Sequence, residues 1–268
     1  MSGRNVILKT PADIAKMRES GRVVARALDL VGKMVSPGVT TGELSAAVEE
    51  LICNAGGVPT FKGYPASRRG IPDFPAAICA SVNEQVVHGI PGDRELREGD
   101  IISVDVGVHL DGWCGDAAKT FPVGQVGRKA KKLLEVTESS LKKAILNARP
   151  GRKLRDVSAA VQNEAEAGGF SVVRQFVGHG IGRDMHEPPQ IPNFVCRSGE
   201  TLDGEIPDLT LCGGMALAIE PMVNAGSFEV LVDKSNGWTV YTKDRSLSAH
   251  FEHTVAVTAD GPLILTEL

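Results

Sequence analysis

Apolar positions along the first half of the chain follow two different periods. Ile14, Met17, Val24, Leu28 and Val31 recur at the steps that keep side chains on one helical face, and Thr10-Pro11 ahead of them is a favourable helix start. A helix is expected over 10–35. Residues 127–148, "GRKAKKLLEVTESSLKKAILNA", predict another amphipathic helix, bridging two parts of the chain. Between them, "ISVDVGVHLDGWCGDAAKTF" (102–121) changes to a period of two, with Val104, Val106, Val108 and Leu110 leading into Asp111-Gly112, a strong hairpin-turn dipeptide. A two-residue turn there pairs 110 with 113 and 105 with 118. Asp105 and Asp116 then share one sheet face as diagonal neighbours, Cα atoms roughly 7–8 Å apart. Two like charges that close are either ordinary aspartates on a solvated face or have something positive between them.

The chain also resembles itself. "PGVTTGELSAAVEELICNAGG" (37–57) and "PGRKLRDVSAAVQNEAEAGG" (150–169) share Pro-Gly, then Ser-Ala-Ala-Val, then Gly-Gly; Pro37 and Pro150 are 113 positions apart, the closing glycines 112. Each copy reads as a helix, the first with a Thr40/Glu43 capping box and a stop at Gly56. Strand-like segments follow, 76–82 after one and 171–177 after the other. Two copies at this spacing predict a duplicated half with a groove at the seam, a common place for a site. Alternating helices and strands without a long βαβ series indicate an α+β fold. No linker divides the chain, which is expected to form a single domain over 1–268: the N-terminal helix, a first half of about 37–125 and a second of about 127–268.

Composition narrows the function classes. The chain of 268 residues is 42% apolar and 23% charged, with a net charge of −4, so no electrostatic footprint for nucleic acid stands out. No apolar run approaches the length of a membrane span, and the N-terminal residues lack a signal-type apolar core. The five cysteines, at 53, 79, 114, 196 and 212, form no CxxC pair. They are expected to be free thiols in a reducing, cytoplasmic compartment, although Cys196 and Cys212 bracket a loop and are the pair open to oxidation.

Further carboxylates stand where an apolar run makes a lone charge costly. Glu220 ends "MALAIE" and Glu252 lies within "SLSAHFEHTVAVT"; His179 sits between glycines in "FVGHGIG", His186 follows seven residues on, and His88 ends "NEQVVH". Asp105, Asp116, Glu220 and Glu252 with an imidazole make a donor set of hard oxygens plus nitrogen. That set suits Mn, Fe, Co or Zn ions, and four carboxylates suffice for two metals roughly 3.5–4 Å apart.

Asp105, the eleven-residue step to Asp116, Gly178-His179-Gly180, Glu220-Pro221 and Phe251-Glu252-His253 resemble the metal-binding pattern of the type I methionine aminopeptidases, in order and flanking residues, from about residue 10 to 262. The resemblance implies the pita-bread fold, two pseudo-symmetric α/β halves around a central metal site. It implies that Asp105 chelates one of two divalent ions, that Asp116 and Glu252 bridge both, and that His179 and Glu220 complete the other. It further implies that His88 contacts the substrate, that His186 hydrogen-bonds the scissile amide, and that Glu220 carries the proton. Cys79, Met185, Trp238 and Phe74 match the methionine pocket. The partner implied is the N-terminal methionine of nascent polypeptides, cut when the second residue is small; ribosome association fits that substrate, and a monomer is expected.

Departures from the family pattern are Met185, where an aromatic residue is common, Cys114, where a histidine is common, and two longer stretches, 64–78 and 195–214. Rival readings are an Xaa-Pro aminopeptidase or prolidase and a non-catalytic binding protein of the same fold. The first class usually carries a large additional N-terminal domain, and about 100 residues precede Asp105 here. The second is expected to lose ligands, and all five stand in this chain.

Overall fold

The structure is a computed structural model that describes residues 6–66, 70–195 and 209–268. Among these residues are four long helices: α1 (Pro11–Met34), α2 (Thr41–Asn54), α3 (Arg128–Asn147) and α4 (Leu154–Ala167). Helix α1 starts where its caps dictate, with Thr10 and Asp13 exchanging side-chain and backbone hydrogen bonds and proline in the first turn. Thr40 and Glu43 cap α2 in the same way.

The helices pair. Val24, Leu28 and Val31 of α1 pack with Leu44, Val48 and Ile52 of α2 in one core. Leu133, Leu141 and Ile145 of α3 pack with Leu154, Val157 and Val161 of α4 in another. The helix expected to bridge the two parts of the chain lies against α4, and its apolar stripe shares a core with α4 and with Leu217, Val223 and Val255.

Strands β1 (Val58–Pro59), β2 (Cys79–Val82), β4 (Ile101–Leu110) and β5 (Trp113–Pro122) form one sheet. A second contains β7 (Gly178–Gly180), β8 (Glu187–Ile191), β9 (Ala216–Ile219), β14 (His253–Thr258) and β15 (Gly261–Ile264), in the order β15-β14-β9-β7-β8. Two small sheets join β6 (Ser171–Val172), β10 (Met222–Asn224) and β13 (Ser248–His250), and β3 (Gln85–Val87), β11 (Val230–Val232) and β12 (Val240–Thr242). The strand expected over 171–177 stops at Val172.

Hydrogen bonds reveal the internal repeat more clearly than letters do. Gly38 N–H donates to Leu96 O, Leu96 N–H to Val39 O, and Thr41 N–H to Arg94 O; Gly151 donates to Leu211, Leu211 to Arg152, and Leu154 to Leu209 in the same arrangement. After the helices, Gly57 N–H reaches Ile52 O and Phe170 N–H reaches Ala165 O. The left-handed residues are Gly56 (φ 78°) and Gly169 (φ 81°), so Gly56 corresponds to Gly169, and the glycine pairing expected from the letters is one position off.

Candidate metal centre

The hairpin that carries the two aspartates has the expected register. Leu110 faces Trp113, Asp105 faces Ala118 and Gly107 faces Asp116, around a turn in which Asp111 and Gly112 both have positive φ. Cys79 pairs with Asp105 on the other side, so Cys79, Asp105, Ala118 and Asp116 share one face. In the second sheet His179 and Thr254 both pair with Ala218, and His253 pairs with Ile219. By alternation His179, Glu220, Thr254 and Glu252 also share a face.

Residues 248–254 stitch the two sheets together. Glu252 N–H donates to Ala118 O at 2.9 Å. The Thr254 hydroxyl donates to Asp116 O and accepts from Asp116 N–H. Thr120 Oγ1 donates to His250 O and accepts from His250 N–H. Glycines on both sides of His179 allow the approach: a Cβ at Gly178 would lie 2.4 Å from Ala218 O, and one at Gly180 would lie 2.2 Å from Pro188 O.

Asp116, His179 and Glu252 converge, each offering a ligand atom within 4.8 Å of the others. His179 Nε2 stands 3.7 Å from Asp116 Oδ2 and 3.6 Å from Glu220 Oε1, beyond hydrogen-bond length. Its Nδ1–H donates to Gly180 O at 2.9 Å, which leaves a lone pair on Nε2 facing the carboxylates. Buried Oδ1 atoms of Asp105 and Asp116 and Oε1 of Glu252 have no hydrogen-bond partner. Orphaned acceptors around an imidazole lone pair are a donor set that fits a divalent metal.

Charge at this place is accordingly suppressed. Desolvation pushes Asp105 up to about 7 and raises Asp116, Glu220 and Glu252 well above the usual carboxylate range; the neighbouring carboxylates raise Asp116 and Glu252 further. Desolvation, with the His186 ring alongside, lowers His179 to about 3. Burial, then His250 and His186, lowers His88 to about 4.

All five carboxylate and imidazole candidates line one cavity of about 180 Å³, together with His88, His186, Cys79, Phe74 and Trp238. His88 holds a left-handed backbone (φ 57°), an uncommon conformation for a non-glycine residue and one that clusters at functional sites. Trp238 stacks edge-on to Phe74 at 5.3 Å, and its Nε1–H donates to Pro72 O. Met185 is not among the residues that line this cavity. It is buried with Met17, Trp113 and Ile181, its Cε filling the space that a side chain at Gly107 would need, on the hairpin face that carries Asp105 and Asp116.

Sequence reasoning missed several cavity residues: Phe61, Tyr64, Val87, Phe176, Val177, Met222 and His250. His250 Nε2 is buried without a partner, 3.6 Å from Glu220 Oε2. Its position two residues before Glu252 was the available signal. Tyr64 begins the longer stretch 64–78, whose base is closed by Gly63 N–H to Phe74 O and Phe74 N–H to Tyr64 O. Cys114 is buried away from the cavity, burial pushing its thiol up to about 12. Cys53, Cys79, Cys114 and Cys212 are free thiols; Cys196 and most of the stretch 195–214 lie outside the described residues.

Residues 15–259 match the family described as "Metallopeptidase family M24". Methionine aminopeptidase 1 of Bacillus subtilis is 48% identical over 263 residues, covering 98% of this chain and all of that protein. The crystal structure of methionine aminopeptidase from Rickettsia prowazekii superposes with a TM-score of 0.90 at 42% identity, covering 98% of this chain and all of that one. A prolidase from Pyrococcus horikoshii shares the fold alone, with a TM-score of 0.73 at 19% identity over 63% of its length. The fold is the pita-bread fold, and no described helix is long and apolar enough to cross a membrane. The chain belongs to metallopeptidase family M24, in the group of the methionine aminopeptidases.

Proposed function

We propose that this chain removes the N-terminal methionine from nascent polypeptides whose second residue is small, using two divalent ions of Mn, Fe, Co or Zn. The observation that carries the reading is the convergence of Asp116, His179 and Glu252, with orphaned oxygens on Asp105, Asp116 and Glu252 around it. Asp105 would chelate one ion, Asp116 and Glu252 would bridge, and His179 and Glu220 would complete the other. When bound, such ions lower the pKa of a coordinated water and polarise the scissile carbonyl.

The remaining work falls to the protein's own groups. Glu220, whose carboxyl holds a proton unusually well in this buried place, takes the proton of the attacking water and passes it to the leaving amine. His186, at the cavity mouth, hydrogen-bonds the scissile amide and its carbonyl oxygen as charge develops. His88, held neutral by burial, contacts the substrate and confines its second residue. Cys79, Phe74 and Trp238 supply the apolar wall for methionine, with Phe61 and Phe176 beside them.

The whole chain acts in this reading as one catalytic domain with the halves 37–125 and 127–268, since each half contributes ligands. A reducing cytoplasm suits its free buried thiols, Cys79 and Cys114.

The test uses chelator-treated protein with Mn, Fe, Co or Zn restored singly without oxygen, and the peptides Met-Ala-Ser, Met-Leu-Ser and Ala-Pro-Ser. Metal-dependent cleavage of Met-Ala-Ser alone is expected. Preference for Ala-Pro-Ser would assign the chain to the proline-specific relatives, and no cleavage with any metal would overturn the reading.

A further inference from the structure

We infer that Tyr64 is a positioning residue for His186: its phenol donates a hydrogen bond to His186 Nδ1 and thereby fixes the proton on Nε2, the nitrogen that faces the substrate. This deepens the proposed function and rests on the role given there to His186.

Geometry carries the inference. Tyr64 Oη lies 2.7 Å from His186 Nδ1, and the two rings meet edge-on at 5.5 Å. A neutral imidazole has one donor and one acceptor nitrogen, and the bond at one selects the other. A phenol O–H given to Nδ1 leaves Nε2–H as a donor, the form that a carbonyl oxygen gaining negative charge requires. The opposite tautomer would present a lone pair to that oxygen and repel it.

The His186 ring makes no other hydrogen bond among the described residues, and the ring of His179 lies beside it at 4.3 Å, tilted by 54°. Tyr64 is itself well held. Its N–H donates to Phe61 O at 2.8 Å and its carbonyl accepts from Phe74 N–H at 2.9 Å, so the backbone at the base of the 64–74 stretch sets the direction of the phenol. That stretch exceeds the family pattern in length, and its base delivers Tyr64 and Phe74 to opposite tasks: one holds the imidazole and the other walls the cavity.

Tyr64→Phe keeps the ring and deletes the hydroxyl, so a mere wall residue would tolerate it. For Met-Ala-Ser cleavage by the metal-loaded chain, kcat is expected to fall about five- to tenfold, the worth of one net hydrogen bond, with KM changed less than about twofold. In the His186→Ala background the same substitution should cost nothing more, because residues acting through one another are not additive. Nitrogen-15 spectra of the metal-free and the zinc-loaded chain give a readout independent of turnover. The parent should show an unprotonated Nδ1 and a protonated Nε2 at His186, and Tyr64→Phe should move both toward averaged positions.

An unchanged kcat and unchanged spectra in Tyr64→Phe, with His186→Ala slow, would overturn the inference and leave the role of His186 intact. An equal loss in both backgrounds would show that Tyr64 acts elsewhere and would also overturn it. A fast His186→Ala variant would instead remove the role of His186 on which the inference rests.

Discussion

The Thr254 hydroxyl satisfies both backbone groups of Asp116, donating to its carbonyl at 2.8 Å and accepting from its N–H at 3.1 Å. Thr254 is fully buried, and these residues lie 138 positions apart on different sheets. This side chain thus joins the hairpin carrying Asp105 and Asp116 to the strand that follows Glu252, beside the Glu252–Ala118 and Thr120–His250 bonds. Thr254→Val keeps the shape and removes the hydroxyl, leaving a buried donor and a buried acceptor unpaired. The expected loss is about 2–4 kcal/mol in denaturant unfolding of the metal-free chain. Metal affinity, measured by calorimetry, should fall about 10- to 100-fold, as for groups that orient ligands indirectly. An unaltered affinity would show that the two sheets are aligned by other contacts.

Metal loading should release protons, and the pH dependence has a definite sign. Desolvation pushes Asp105 up to about 7 in the metal-free fold, so at pH 6 it still holds a proton that a cation must displace; Asp116, Glu220 and Glu252 are shifted in the same direction. His179, lowered to about 3, is already neutral at pH 6 and contributes none. Calorimetry in buffers of different ionisation enthalpy is expected to find about one proton or more released per chain at pH 6, decreasing as pH rises past 7. Affinity should therefore weaken as pH falls through 7. Release that disappears in Asp105→Asn would assign the first proton to that carboxyl.

How far the site was readable in the sequence follows from how each residue reaches it. Asp105 and Asp116 were placed correctly because alternation and the Asp111-Gly112 turn are local, and both survive in the observed register. The capped starts of α1 and α2 were legible for the same reason. Met185, next to His186 in sequence, is not among the residues that line the cavity, and its Cε packs at Gly107 instead. Tyr64, Phe176 and His250 reach the cavity through loop closure and the pairing of remote strands, for which no short pattern exists. The repeat was visible in letters, yet its glycine correspondence required φ angles.

The two placements in the methionine pocket make opposite predictions. Trp238 walls the cavity, its indole braced by Pro72 O, so Trp238→Ala should raise KM for Met-Ala-Ser about tenfold or more while unfolding changes less. Met185 is buried but not among the cavity-lining residues, so Met185→Leu, a volume-conserving exchange, should leave KM within about twofold and cost less than about 1.5 kcal/mol. Steady-state kinetics with the two variants separates wall from core. A KM shift in Met185→Leu would return that residue to the pocket.

Lys9 and Glu187 form an ion pair at 2.5 Å with both side chains almost wholly buried. Glu187 Oε1 also accepts from Arg183 N–H at 2.9 Å, and its backbone pairs with Gly180 beside His179, so the pair braces the turn between His179 and His186. Lys9→Met leaves a buried carboxylate without its cation, and removing one partner of such a pair costs about 3–5 kcal/mol. Adding Glu187→Gln takes away the stranded charge while its amide oxygen still accepts from Arg183. The double variant should regain most of the lost stability in urea unfolding, because the penalty of a lone buried charge exceeds the worth of the pair itself. Equal losses in the single and double variants would mean that the lysine stem, packed against Gly182, contributes more than its charge.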